Sequence, residues 1–142
     1  MQQNTSLKLF RFIAWFASIY HVVLGLLGTF GNSSFVVSLV NKVYGITVNI
    51  DPDLFMSFAR FAGSYMIAFG LMMGLIAKNP IKYRRFAWVG VALIIIRLFD
   101  RIVFFKALQS TLNISLVNSL PTIIVISLMA IGLVVCMPKD NA

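Results

Sequence analysis

The chain has 142 residues, 60% of them hydrophobic and only 11% charged, with 12 Lys and Arg against 4 acids, all Asp, for a formal net charge of +8. Soluble domains carry about 25% charged residues, so a mean hydropathy of +0.93 excludes a water-covered globule, a disordered chain and a soluble nucleic-acid-binding domain. Cys136, the one cysteine, forms no intrachain disulfide and no Cys-based zinc site, and fits a small apolar residue at a helix end. What remains is a single all-α integral membrane domain over residues 1–142.

The first apolar run, Phe12 to Phe30, carries no formal charge and has His21 at its middle. It has the ~20 residues that a helix needs to cross the hydrocarbon core. A cleaved signal has an apolar core of about 7–15 residues and a small-x-small cleavage site. This run is longer and ends in Gly31-Asn32-Ser33-Ser34, as a retained helix would. Phe35, Val36, Leu39, Val40, Val43 and Tyr44 then recur at helical spacing, with Ser38, Asn41 and Lys42 between them. That pattern predicts a short amphipathic helix lying at the membrane interface, ended by Gly45. The strict alternation from Ile46 to Asp51 predicts an extended return.

The second run, Leu54 to Ala77, begins after the start signal Asp51-Pro52-Asp53. It is interrupted by Arg60 and closed by Lys78-Asn79-Pro80. The third, Phe86 to Phe105, contains Arg97, Asp100 and Arg101. The short joint over residues 78–85 makes the second and third spans antiparallel neighbours. A polar connection from Ala107 to Asn118 leads to the fourth run, Ser119 to Met137. Pro121 falls in its first turn, where a missing N–H costs little. All four runs are helices, because an isolated strand cannot satisfy its backbone in lipid. The predicted fold is a four-helix membrane bundle with spans over 12–30, 54–77, 86–105 and 119–137.

The cations orient this bundle. Lys8, Arg11, Lys78, Lys82, Arg84, Arg85 and Lys139 lie in the N-terminal tail, the second connection and the C-terminal tail, while the first and third connections hold only Lys42 and Lys106. By the positive-inside rule both termini face the cytoplasm. Trp15, Tyr83 and Trp88 then lie at the cytoplasmic boundary and Tyr44 at the outer one, as interfacial anchors do. In the second span Ala59, Gly63, Gly70, Gly74 and Ala77 share a face, interrupted by Met66 and Ile67, so closest approach is expected at the Gly70–Ala77 end. In the first span Ala14, Ser18, His21, Gly25 and Gly28 form a similar seam. Small-residue seams let helix backbones approach in lipid, and within one bundle these two seams are expected to meet other helices of the same chain.

The ionisable residues inside the spans are the candidate site. At 1.5 Å per residue, His21 and Arg97 lie near mid-membrane, Arg60 about 8 Å toward the outer side, and Asp100 and Arg101 about 7–8 Å outward of the third span's midpoint. A charge at the bilayer centre costs at least about 2.5–3.5 kcal/mol, so these groups should face the interior or a wet cavity. Two arrangements satisfy that. In one, Arg60 and Arg101 snorkel to the interface and Arg97–Asp100 is a structural clip. In the other, the arginines line a pocket for an anion or polar head group, which the bidentate guanidinium fork suits, with Asn118, Ser119 and Thr122 as neutral hydrogen-bonding neighbours. A lone His21 fits a hydrogen-bonded helix seam better than a ligand or base. One His supplies neither a two-histidine haem site nor a His/carboxylate metal site, and no nucleophile–His–acid set or Gly-rich phosphate loop is present.

From Val43 to Pro80 the chain reads Tyr44-Gly45-Ile46, then Arg60-Phe61-Ala62-Gly63, Tyr65 and Gly70, followed by a basic turn and a helix with an Arg97-centred polar patch. Over Gly31 to the third span this resembles the small four-helix bacterial membrane proteins grouped around DoxX, chiefly their uncharacterised relatives. The resemblance implies a four-helix bundle in the bacterial cytoplasmic membrane and points to Arg60 and Gly63. DoxX is associated with quinone-linked thiosulfate oxidation, but no specific catalytic set of that protein is matched here.

The expected function is therefore non-catalytic. It is an accessory subunit, or a binder of a small anionic or quinone-like amphiphile, with no cofactor and no metal. Arg60, Arg97 and Arg101 are the expected contacts, Asp100 sets their geometry, and His21 forms the pocket floor. Membrane lipids, a larger membrane complex and a second copy of the chain are the partners this allows. Two alternatives stand beside it. One is a membrane enzyme or redox subunit acting on a lipid-soluble substrate. The other is a small transporter gated by Arg97–Asp100, against which the lack of internal repeats counts.

Overall fold

The computed structural model describes residues 2–44, 51–112 and 116–138. Among the described residues there are six α-helices and no strand: α1 (Gln2–Phe30), α2 (Ser33–Tyr44), α3 (Pro52–Lys78), α4 (Arg84–Val103), α5 (Phe105–Leu112) and α6 (Leu116–Val135). Local chemistry explains most boundaries. Asn32 opens α2 by accepting from the Ser34 N–H at 3.0 Å and the Ser34 hydroxyl at 2.7 Å. Asp51 caps α3, its Oδ1 accepting from the Asp53 N–H at 2.7 Å and the Leu54 N–H at 3.2 Å, with Pro52 in the first turn where it fits. The Asn79 N–H bonds the Leu75 carbonyl and ends α3. The expected terminator Gly45 and the extended return over residues 46–50 lie outside the described residues.

Three elements differ from the sequence expectation. α1 begins at Gln2, ten residues before the first apolar run. The connection after the third span holds a helix, α5. Phe105, Leu108 and Leu112 recur at helical spacing there, a signal that Lys106, Gln109, Ser110 and Thr111 obscure. The fourth apolar helix also begins at Leu116, three residues earlier than expected. Pro121 therefore sits in its second turn and has no N–H to give the Val117 carbonyl.

α1, α3 and α6 are long and apolar enough to cross a membrane. α4 has the length but not the composition: any 18-residue stretch of it holds at least three charged residues. Most of its exposed residues are nonetheless apolar, among them Phe86, Trp88, Leu93, Ile96, Phe99 and Ile102.

α1 and α3 form the most extensive contact, and α1 and α4 each pack on both α3 and α6. The two small-residue seams meet each other. A Cβ on Gly25 would stand 2.7 Å from the Gly63 carbonyl oxygen, and one on Gly70 would stand 2.8 Å from that of Ser18. Close approach therefore runs from Gly63 to Gly74 rather than concentrating at the Gly70–Ala77 end. Ile67 does not interrupt it, because its side chain occupies the space that Gly25 leaves open.

A packed core fills the end formed by the N-terminus of α1, residues 79–83 and the C-terminus of α6, here the near end. Phe10, Ala14, Ala17, Met73, Ile76, Ala77, Ala87, Val91, Leu133 and Cys136 are buried there, and the Ser6 hydroxyl reaches the Cys136 carbonyl at 3.5 Å.

Candidate functional site

The inward face of α4 determines where the core stops. It reads Ala87, Gly90, Val91, Ile94 and Arg97, so side-chain bulk grows from the near end toward the far end. Gly90 lets the Met73 sulfur approach to 2.8 Å of where a Cβ would stand, whereas one to two turns later Ile94 and Arg97 border open space beside α3 and α1. That space is divided into two cavities that share three wall residues: His21, Ile94 and Arg97.

The wall is held by two hydrogen bonds. The Nδ1–H of His21 donates to the Ala17 carbonyl at 2.7 Å, one turn back on α1. The Arg97 guanidinium donates to Nε2 of His21 at 3.0 Å. A carbonyl only accepts and a guanidinium only donates, so the ring carries its single proton on Nδ1 and is neutral. Phe69 of α3 packs against the imidazole at a steep angle, ring centroids 4.6 Å apart. His21 is 6% exposed and Arg97 half-buried.

The larger cavity, about 410 Å³, lies between α1, α3 and α4. Met66, Phe69, Met72 and Leu93 make it apolar, with Tyr65 and Arg97 as its polar points. Tyr65, Ala68 and Leu93 are exposed, so it opens sideways between α3 and α4. Its volume is within the usual range for small-molecule sites, and so is its make-up of apolar walls with a few convergent polar groups. The smaller cavity, about 230 Å³, lies between α1, α4 and α6 and adds Tyr20, Pro121 and Thr122 to the wall residues.

No carboxylate lines either cavity, and among the described residues none forms an ion pair with Arg97. The expected Arg97–Asp100 clip is not formed. Asp100 is exposed, and the Arg97 guanidinium donates across to His21 instead. Of the sequence-predicted site residues, His21 and Arg97 are brought together. Arg60 is exposed, Arg101 is half-buried, and neither lines these two cavities. Of the neutral neighbours named from the sequence, Thr122 lines the smaller cavity, while Ser119 is buried without lining either one. Among the described residues no three His, Cys or Asp side chains gather as a metal site requires.

Sequence reasoning missed the apolar lining from Met66, Phe69 and Met72. A signal was present: Met66, Phe69 and Met72–Met73 are bulky, adaptable side chains beside the glycine seam of the same helix, and methionine fills irregular surfaces. Comparison with protein-family models, curated proteins and solved structures finds no match. The DoxX-like resemblance therefore rests on the sequence pattern from Gly31 to the third span alone.

Proposed function

We propose that this chain is a non-catalytic integral membrane protein that holds an anionic amphiphile at Arg97, with the apolar part of the ligand in the cavity between α3 and α4. In this reading α1, α3, α4 and α6 form a four-helix membrane bundle in the bacterial cytoplasmic membrane. Both termini are cytoplasmic, as the cation distribution favours, and α2 lies at the outer interface.

The observation that carries the proposal is the state of Arg97. Its guanidinium sits in an apolar wall, its one bond to another helix is to a neutral imidazole, and no carboxylate compensates its charge there. Arg97 is half-buried, so an unpaired charge there bears part of the desolvation cost of burial, and an anionic ligand offsets it. A quinone carbonyl would accept a hydrogen bond but leave the charge, so an anion fits better than a quinone-like amphiphile. An Arg presents two parallel N–H groups suited to carboxylate or phosphate oxygens. Both nitrogens of His21 are tied to the Ala17 carbonyl and Arg97 and no carboxylate lines the cavities beside it, an arrangement that supports reading the site as one for binding.

The test is native mass spectrometry of the protein extracted from membranes in mild detergent. The unaltered protein and Lys42→Leu should carry a bound anionic amphiphile, and Arg97→Leu should not. Equal retention in Arg97→Leu would sink the proposal.

A further inference from the structure

The amphiphile reading leaves the smaller cavity without a role, and resting on that reading we propose one: it is a head-group chamber that selects a tetrahedral phosphate monoester over a carboxylate, with Thr122 as the specificity-determining residue. Three observations point there. Arg97 lines both cavities, so an anion on its guanidinium lies at the boundary between them rather than wholly in the apolar one. The larger cavity offers that anion apolar side chains, Met66, Phe69, Met72 and Leu93, suited to a hydrocarbon tail. The smaller one adds two hydroxyl-bearing residues, Tyr20 and Thr122.

The chemistry follows from counting acceptors. A carboxylate has two oxygens, and the guanidinium fork takes both. A phosphate monoester has three terminal oxygens on a tetrahedral centre. Two occupy the fork, and the third projects beyond the plane of the guanidinium, toward the side opposite the tail. A hydroxyl donor on that side distinguishes the two head groups. Thr122 is half-buried at this place, and among the described residues its hydroxyl has no hydrogen-bond partner. Most threonines in an apolar helix would bond a carbonyl one turn back. Next to it, Pro121 interrupts the helix ladder, and both residues line the cavity, so this turn of α6 brings an uncommitted hydroxyl to it.

The probes are dodecyl phosphate and laurate, which share a 12-carbon chain, and inorganic phosphate. Each is titrated into the full chain in phosphatidylcholine nanodiscs. Dodecyl phosphate should bind more tightly than laurate. Thr122→Val, which keeps the shape and removes the hydroxyl, should weaken dodecyl phosphate by about tenfold, the loss of one charge-assisted hydrogen bond, and leave laurate unchanged. Thr122→Ser should restore phosphate binding, which a packing defect would not allow. Equal affinities for the two amphiphiles, or no effect of Thr122→Val on either, would overturn the chamber assignment. Inorganic phosphate binding as tightly as dodecyl phosphate would overturn the role of the tail. Arg97→Leu separates the two levels: loss of both amphiphiles with Thr122→Val silent removes only the chamber, whereas retention of both removes the amphiphile reading itself.

Discussion

The near end and the middle of this molecule are built from the same four long helices and differ in how α4 meets the others. At the near end Ala87, Gly90 and Val91 bring α4 close, and Met73, Ile76 and Leu133 fill the space completely, each 1% exposed or less. Toward the middle, beside Ile94 and Arg97, the interior opens into two cavities around the His21–Arg97 wall. The α1–α3 pair hardly changes between the two regions, since its glycine contacts run from Gly74 to Gly63. One tight pair of helices thus serves as a spine, and α4 is the element whose side-chain sizes decide between packing and cavity. In lipid this distinction carries weight, because close contact rather than water exclusion holds the helices together.

The largest expected effect breaks that contrast by truncating one leucine in each region. Leu133→Ala removes a side chain with no room to relax and should cost about 2–5 kcal/mol. Leu93→Ala shortens a 45% exposed residue at a cavity rim and should cost under about 0.5 kcal/mol, as surface changes do. Thermal unfolding of both variants in the same detergent measures the difference. Equal losses would mean that the two regions are packed alike.

A second, smaller effect concerns the spine. Gly63→Leu puts a side chain where a Cβ alone would stand 2.8 Å from the Gly25 carbonyl oxygen, and overpacking of this kind costs about 1–3 kcal/mol. The same change at Gly90 meets the Met73 sulfur at 2.8 Å, which is a flexible side chain and not backbone. Gly90→Ala should therefore be tolerated better than Gly63→Ala, and unfolding midpoints that rank the other way would contradict the account of α1–α3 as the rigid pair.

Much of this architecture was legible in the residues themselves. The apolar runs locate α1, α3 and α6, the spacing from Phe35 to Tyr44 locates α2, and Asp51-Pro52 locates the start of α3, because periodicity and capping are local properties. Arg97 and His21 stood out in the sequence as candidates for the same reason: each is an ionisable group in an apolar run. Their bond was not legible, because it joins residues 76 positions apart and depends on how the side chains of α4 fix its distance from α1. The i, i+3 spacing of Arg97 and Asp100 suggested the wrong partner. That spacing permits a pair on one helix face, but the guanidinium instead turns inward to an acceptor that is fixed and water-poor.

Asp100 accordingly supplies the smallest expected effect and the sharpest check on the wall. If Arg97 relied on Asp100 for charge compensation, Asp100→Asn would leave the guanidinium unpaired, and breaking a buried pair costs about 3–5 kcal/mol. The carboxylate is instead exposed, and the arginine donates across to His21 at 3.0 Å. Asp100→Asn should then change stability by less than about 0.5 kcal/mol and leave amphiphile retention intact. The decisive combination is retention that survives Asp100→Asn and fails in Arg97→Leu. It would locate the compensating negative charge on the ligand rather than on the protein, since no other acid lies within α4 and none lines the cavities.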